Sequence, residues 1–290
     1  MKTGIALEGG AERSAFTAGV LDSLMERSFY ASAVSGTSAG AGCVLNYRSR
    51  QQGIALDMMI MERKKRYFGI RHMAHTGRFL NLDCMVYEYA RRVDWNACCK
   101  SFMHTDFVAT CCEDGEPAYL TDSGSKRRMF TAIKASCALP IICEPVELDG
   151  MHYVDGSIAD PIPFLHLLES GCDKVLVVLT GGEGAHPTDY TRLRLLLRQL
   201  YYQKYPDLYH AIMHRIMRYE QQLRQMEQAQ KENRVFVLRP QIPAIPLFTQ
   251  NEEKIRAYYQ HGCDLVKESW NAICTWLQTA PKCSENSLTQ

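Results

Sequence analysis

Ala31-Ser32-Ala33-Val34-Ser35-Gly36-Thr37-Ser38-Ala39-Gly40 reads as a short strand over 31–34, a tight turn over 35–40 and a helix that then runs through Asn46. A serine held on such a strand-to-helix turn takes a strained backbone that only small neighbours tolerate, and it projects its hydroxyl above the sheet edge. N–H groups at the helix start can stabilise developing negative charge. The G-x-S-x-G spacing alone also fits an ordinary glycine loop, so the surrounding sequence has to decide.

Upstream, Gly4 to Leu7 predicts a buried strand, Glu8-Gly9-Gly10-Ala11-Glu12-Arg13 a tight loop, and Ala15 to Met25 a helix. Strands alternating with helices predict a mostly parallel sheet covered on both faces. Consecutive small residues let N–H groups of the loop converge on one concavity, which suits a phosphate, the oxyanion of an acyl transfer, or simply a turn. A dinucleotide fingerprint fits poorly, because G-x-G-x-x-G is absent and Ser35-Gly36 stands where an acidic residue would end the second strand. A third motif, Val154-Asp155-Gly156-Ser157, puts a carboxylate at a strand end, where it can orient and deprotonate a serine. Asp-Gly is equally a turn signal.

The rest of the chain frames these motifs. Residues 50–100 predict helix and loop, 106–112 a core strand with a hairpin partner at 117–120, and 126–136 a helix. Lys174 to Thr180 is the clearest buried parallel strand. Tyr190 to Lys231 predicts a helical hairpin or a helix kinked at Pro206; a strand at 234–238 and a helix at 252–277 follow, and a disordered tail from Thr279. The expected division is a core over residues 1–185 and a mostly helical extension with one further strand over 186–290.

A net charge of +1 offers no global field for nucleic acid. No apolar run approaches the roughly 20 residues that span a bilayer, and the amino terminus lacks a secretory pattern, so a cytoplasmic location is expected. The twelve cysteines then read as reduced, structural thiols. His210 and His214, at helical spacing, lack the glutamate of a zincin and read as a solvated face. Met58, Met59, Met61, Tyr67, Phe68 and Ile70 beside Arg63-Lys64-Lys65-Arg66 suggest either an apolar lip with a basic rim for anionic membranes or a partly buried helix with a charged face.

Together and in this order, the motifs resemble the patatin-like phospholipase family, over roughly residues 4–180. The family's G-G-G-x-R-G loop is met by Gly9-Gly10-Ala11-Glu12-Arg13-Ser14, its G-x-S-x-G by Gly36 to Gly40, and its D-G-G or D-G-A by Asp155-Gly156-Ser157. Ala135-Ser136-Cys137-Ala138-Leu139-Pro140 is similar to its A-S-x-A-x-P stretch. The resemblance implies a three-layer α/β/α fold and a Ser38–Asp155 dyad. It implies an oxyanion hole from Gly9, Gly10, Ala11 and Ala39, a lipid ester as substrate, and no cofactor or metal. Arg13 would steady the loop or meet a lipid phosphate. Ala11 and Ser14 replace family glycines; an Ala at positive φ costs on the order of 1 kcal/mol. The alternatives are a catalytically weak relative that binds lipid or a partner, and a nucleotide-binding α/β protein. An ordinary hydrolase triad would need a histidine, with His152 and His186 as the candidates.

Overall fold

The computed structural model describes residues 1–61, 67–76, 79–121 and 125–281. The Arg63 to Arg66 run lies outside the described residues, as does the tail from 282 onward. In chain order the elements are β1 (Thr3–Leu7), α1 (Ser14–Glu26), β2 (Ala33–Thr37), α2 (Ala39–Arg48), α3 (Ile54–Ile60), α4 (Ile70–Thr76), α5 (Leu82–Arg92), α6 (Trp95–Lys100), β3 (His104–Cys111) and β4 (Pro117–Thr121). There follow α7 (Lys126–Ser136), β5 (Val146–Leu148), β6 (Met151–Asp155), α8 (Phe164–Glu169), β7 (Lys174–Val178), α9 (Arg194–Leu197), α10 (Pro206–Lys231), β8 (Val235–Leu238) and α11 (Glu252–Gln278).

The described strands form one sheet in the order β5-β6-β3-β2-β1-β7-β8, with β4 also paired to β3. β2-β1-β7-β8 and β2-β3 are parallel; β4, β5 and β6 form an antiparallel margin. Alternation along each central strand sorts side chains to two faces. Ile5, Leu7, Leu176 and Val178 pack with α1, α2 and α11, whereas Ala6, Val175 and Val177 pack with Phe164 and Leu167 of α8 and Met226 of α10. The expected three-layer α/β/α architecture follows from that alternation.

β2 reaches further than its sequence suggests. Ser35 and Gly36 stay in register with Ala6 and Leu7, and Thr37 with Val108, so the turn is confined to Ser38. Small residues here mark close packing inside a strand rather than a loop.

The extension is built into the same sheet. Pro206 opens α10, where its missing N–H is harmless, and β8 pairs with β7. α11 lies so close against α1 that a Cβ on Gly19 would fall 2.0 Å from Tyr259 O, and one on Gly262 2.3 Å from Phe16 O. Met58, Met59, Tyr67 and Phe68 are buried, not arrayed as a surface lip; Ile70 alone of that group is strongly exposed. Their apolar surface is spent on the interior beside α2.

Candidate active site

β3 supplies the rail on which the two key side chains meet. β4 occupies one of its edges over Asp106 to Thr110, leaving the other for β2 as far as Val108 and for β6 from Ala109 onward. Thr37 ends β2 opposite Val108, and Asp155 ends β6 opposite Ala109. Two strands thus run end to end toward each other along one edge, so the residue after Thr37 faces Asp155.

Ser38 sits at φ 56° and ψ −127°, a left-handed conformation costly for a residue with a Cβ. Its N–H donates to Ser136 Oγ at 2.8 Å and its Oγ donates to Asp155 Oδ2 at 2.6 Å. Asp155 is held on every side: Oδ1 accepts from Ser157 N at 2.8 Å, its N–H donates to Ala138 O at 2.9 Å, and its carbonyl accepts from Thr110 Oγ1 at 2.9 Å. Burial pushes the Asp155 carboxyl above its ordinary pKa; the hydrogen bonds from Ser38 and Ser157 and the Arg215 charge oppose this. Such a carboxylate accepts a proton more readily than an exposed one.

The glycine loop presses on the serine. A Cβ on Gly9 would lie 2.9 Å from Ser38 Cβ and 3.2 Å from Thr37 O, so only glycine fits. Ala11 adopts φ 46°, the strained region anticipated for it. The amides of Glu12 and Arg13 donate to Leu247 O and Gly10 O. Those of Gly10 and Ala11 donate to no protein acceptor among the described residues. Glu8 is buried beneath the loop, where its carboxylate accepts from Thr180 N at 2.5 Å and Tyr219 Oη at 2.8 Å. Burial raises its pKa against those bonds.

Two chambers share Ser38, Ala11, Leu139 and Phe248 as lining. One, about 250 Å³, is bordered by the glycine loop, Arg13, His186 and Arg215. The other, about 110 Å³, runs past Ala39 and is walled by Met58, Met59, Tyr67, Phe68 and Tyr89. Arg13 faces the larger chamber but spends its Nε on Ile245 O at 2.7 Å. His152 Nδ1 lies 3.0 Å from Glu113 Oε1, and His186 is exposed on the chamber rim. His210 and His214 stay on the outer face of α10, and no metal-holding cluster occurs among the described residues.

One contribution escaped the sequence reading. α10 sends Arg215, Tyr219 and Gln222 inward from a single helical face. Buried Arg215 donates Nε to Ser157 O at 2.8 Å and a second nitrogen to Ser157 Oγ at 3.1 Å. Tyr219 holds Glu8, and Gln222 donates to Asp160 Oδ1 at 2.6 Å. The signal available was this i, i+4, i+7 polar set on the face that also carries buried Leu208, Ala211, Ile212 and Met226.

A buried serine–aspartate pair stands at the meeting of two strand ends on an α/β/α sheet. A patatin-like phospholipase family model matches residues 114–168, which include Asp155. A domain of unknown function, DUF6363, matches residues 205–278. An uncharacterized protein of Escherichia coli K12, YjjU, is 30% identical over 184 residues, covering 61% of this chain and 51% of YjjU. The chain therefore spans about half the length of that curated relative. The crystal structure of VipD from Legionella pneumophila aligns with a TM-score of 0.47 at 11% identity, over 93% of this chain and 67% of VipD.

Proposed function

We propose that the chain is a serine acyl hydrolase that cleaves carboxylic esters of lipids through a Ser38–Asp155 dyad. The observation that carries this reading is the 2.6 Å bond from Ser38 Oγ to a buried Asp155 that is fixed on all sides. Ser38 Oγ attacks the ester carbonyl carbon while its proton passes to Asp155 Oδ2. The N–H groups of Gly10 and Ala11, with Ala39 at the start of α2, receive the oxyanion. The carbonyl reforms, the C–O bond to the alcohol breaks, and Asp155 returns the proton to the leaving oxygen. Water then repeats the sequence on the acyl-enzyme, with Asp155 again taking and returning a proton.

The chamber walled by Met58, Met59, Tyr67 and Phe68 suits the acyl chain, and the wider one, rimmed by arginines, suits the alcohol portion. Residues 1–185 carry the chemistry in this proposal. Residues 186–290 act as an extension that braces it through Arg215 and Tyr219. Hydrolysis of p-nitrophenyl esters and phospholipids, compared between wild type and Ser38→Ala, tests the reading. It requires near-complete loss in the variant with the fold retained, and wild-type turnover would overturn it.

A further inference from the structure

The segment between β7 and α10 carries more apolar surface than its packing uses. Leu197, Tyr201, Tyr205 and Leu208 are buried at roughly helical spacing and belong to a core cluster with Val154 and Ile158. That stripe already satisfies the inward face. Yet Leu195 is 74% exposed and Leu200 50%, and Leu193, Leu196 and Tyr202 are exposed as well. Arg192, Arg194, Arg198 and Lys204 alternate with these residues on the exposed surface. No Asp or Glu occurs from Tyr190 to Tyr205.

The patch adjoins the substrate cavity. Leu193 lines the chamber that holds Ser38, and Leu200 lines an adjacent groove with Ile141, Ile142 and Met73. Ile141 is exposed and stands at φ 72°, a genuine strain for a β-branched residue. Its N–H donates to Tyr201 Oη at 3.2 Å, which ties the segment to the chamber wall. Leucines interleaved with arginines, without acidic residues, at the mouth of an apolar cavity match the chemistry of an anionic lipid surface.

We propose that residues 190–204 seat the protein on anionic membranes, with Leu195, Leu196 and Leu200 entering the acyl boundary and Arg192, Arg194 and Arg198 contacting headgroup phosphates. Among the described residues no helix is long and apolar enough to cross a bilayer, so the contact is peripheral. It would present the cavity mouth to lipid while Ser38 stays inside the protein.

Co-sedimentation with phosphatidylglycerol or phosphatidylcholine vesicles tests this, using the 290-residue chain with Ser38→Ala so that the result does not depend on the hydrolase reading. Phosphatidylglycerol vesicles should bind better than phosphatidylcholine ones, and binding should weaken with salt. Changing Leu195, Leu196 and Leu200 to Ser should lower partition at least about tenfold, and changing Arg192, Arg194 and Arg198 to Gln by roughly fivefold per charge. Both sets leave the buried stripe intact, and circular dichroism verifies the fold. Three results would overturn the proposal: no binding to either vesicle, binding unchanged in both variants, or a dimer in sedimentation that the leucine changes dissolve, which would assign the patch to a second copy of the chain.

Discussion

Replacing Arg215 with Met removes a buried guanidinium that reaches the site from α10, more than 50 residues downstream of Asp155 in the chain. Two acceptors on buried Ser157 lose their donor, its carbonyl and its hydroxyl. Each unsatisfied buried acceptor costs about 1–3 kcal/mol, and part of that is offset because a charge no longer has to be buried. The Thr188 carbonyl, also bonded to Arg215, is on an exposed residue and can turn to water. A net loss of roughly 2 kcal/mol is expected, read as a lower urea midpoint at unchanged slope. Activity should respond as well. Ser157 N holds Asp155 Oδ1, and the Arg215 charge lowers a carboxyl that burial has raised. Without that charge Asp155 ionises at higher pH, so the acid limb of kcat/KM moves upward. Arg215→Lys, which keeps the charge without the fork, should restore most of the pH limb but little of the stability. Wild-type stability together with a wild-type pH profile in Arg215→Met would refute the bracing role of α10.

Asp155→Asn should abolish activity yet stabilise the fold near neutral pH. A raised folded pKa contributes stability that is complete below the unfolded value, 3.8, and is lost as pH rises through the folded value. Thermal melts across that range check the sign: the variant's advantage must grow with pH, and a constant difference would contradict the burial argument. Ala11→Gly relieves a φ of 46°, so turnover should rise or hold steady. Lost activity in a stable variant would mean that the loop does not receive the oxyanion. His152→Ala and His186→Ala should each keep kcat/KM within about tenfold, an energy of roughly 1.4 kcal/mol. A loss on the scale of Ser38→Ala in either one would place a histidine base in the mechanism.

Most of the sheet was legible because each central strand carries an apolar run bounded by glycine or polar residues, as in Lys174 to Thr180. Ser38 and Asp155 were legible because the strained turn and the strand-end carboxylate each leave a local trace in residue type. What the sequence hid was non-local. The end-to-end meeting of β2 and β6 along β3 is a property of register, and Ser35 to Thr37 looked like a turn because the residues that let α2 pack closely are the small ones that also mark loops. Arg215, Tyr219 and Gln222 read as ordinary polar positions on a long helix until packing turned that face inward. Met58, Met59, Tyr67 and Phe68 left two readings open, since apolar residues next to a basic run fit a surface lip and a partly buried helix equally well, and burial of all four decides between them.

The central claim is that Ser38 is a nucleophile activated by Asp155, and covalent labelling by a fluorophosphonate tests it without any assumption about substrate. Intact mass and peptide mapping should place one adduct on Ser38 in the wild type. Ser38→Ala should give no adduct, and Asp155→Asn should label slower by orders of magnitude, because its amide does not take up the serine proton. An adduct on another residue, or an Asp155→Asn protein that labels at the wild-type rate, would contradict the account.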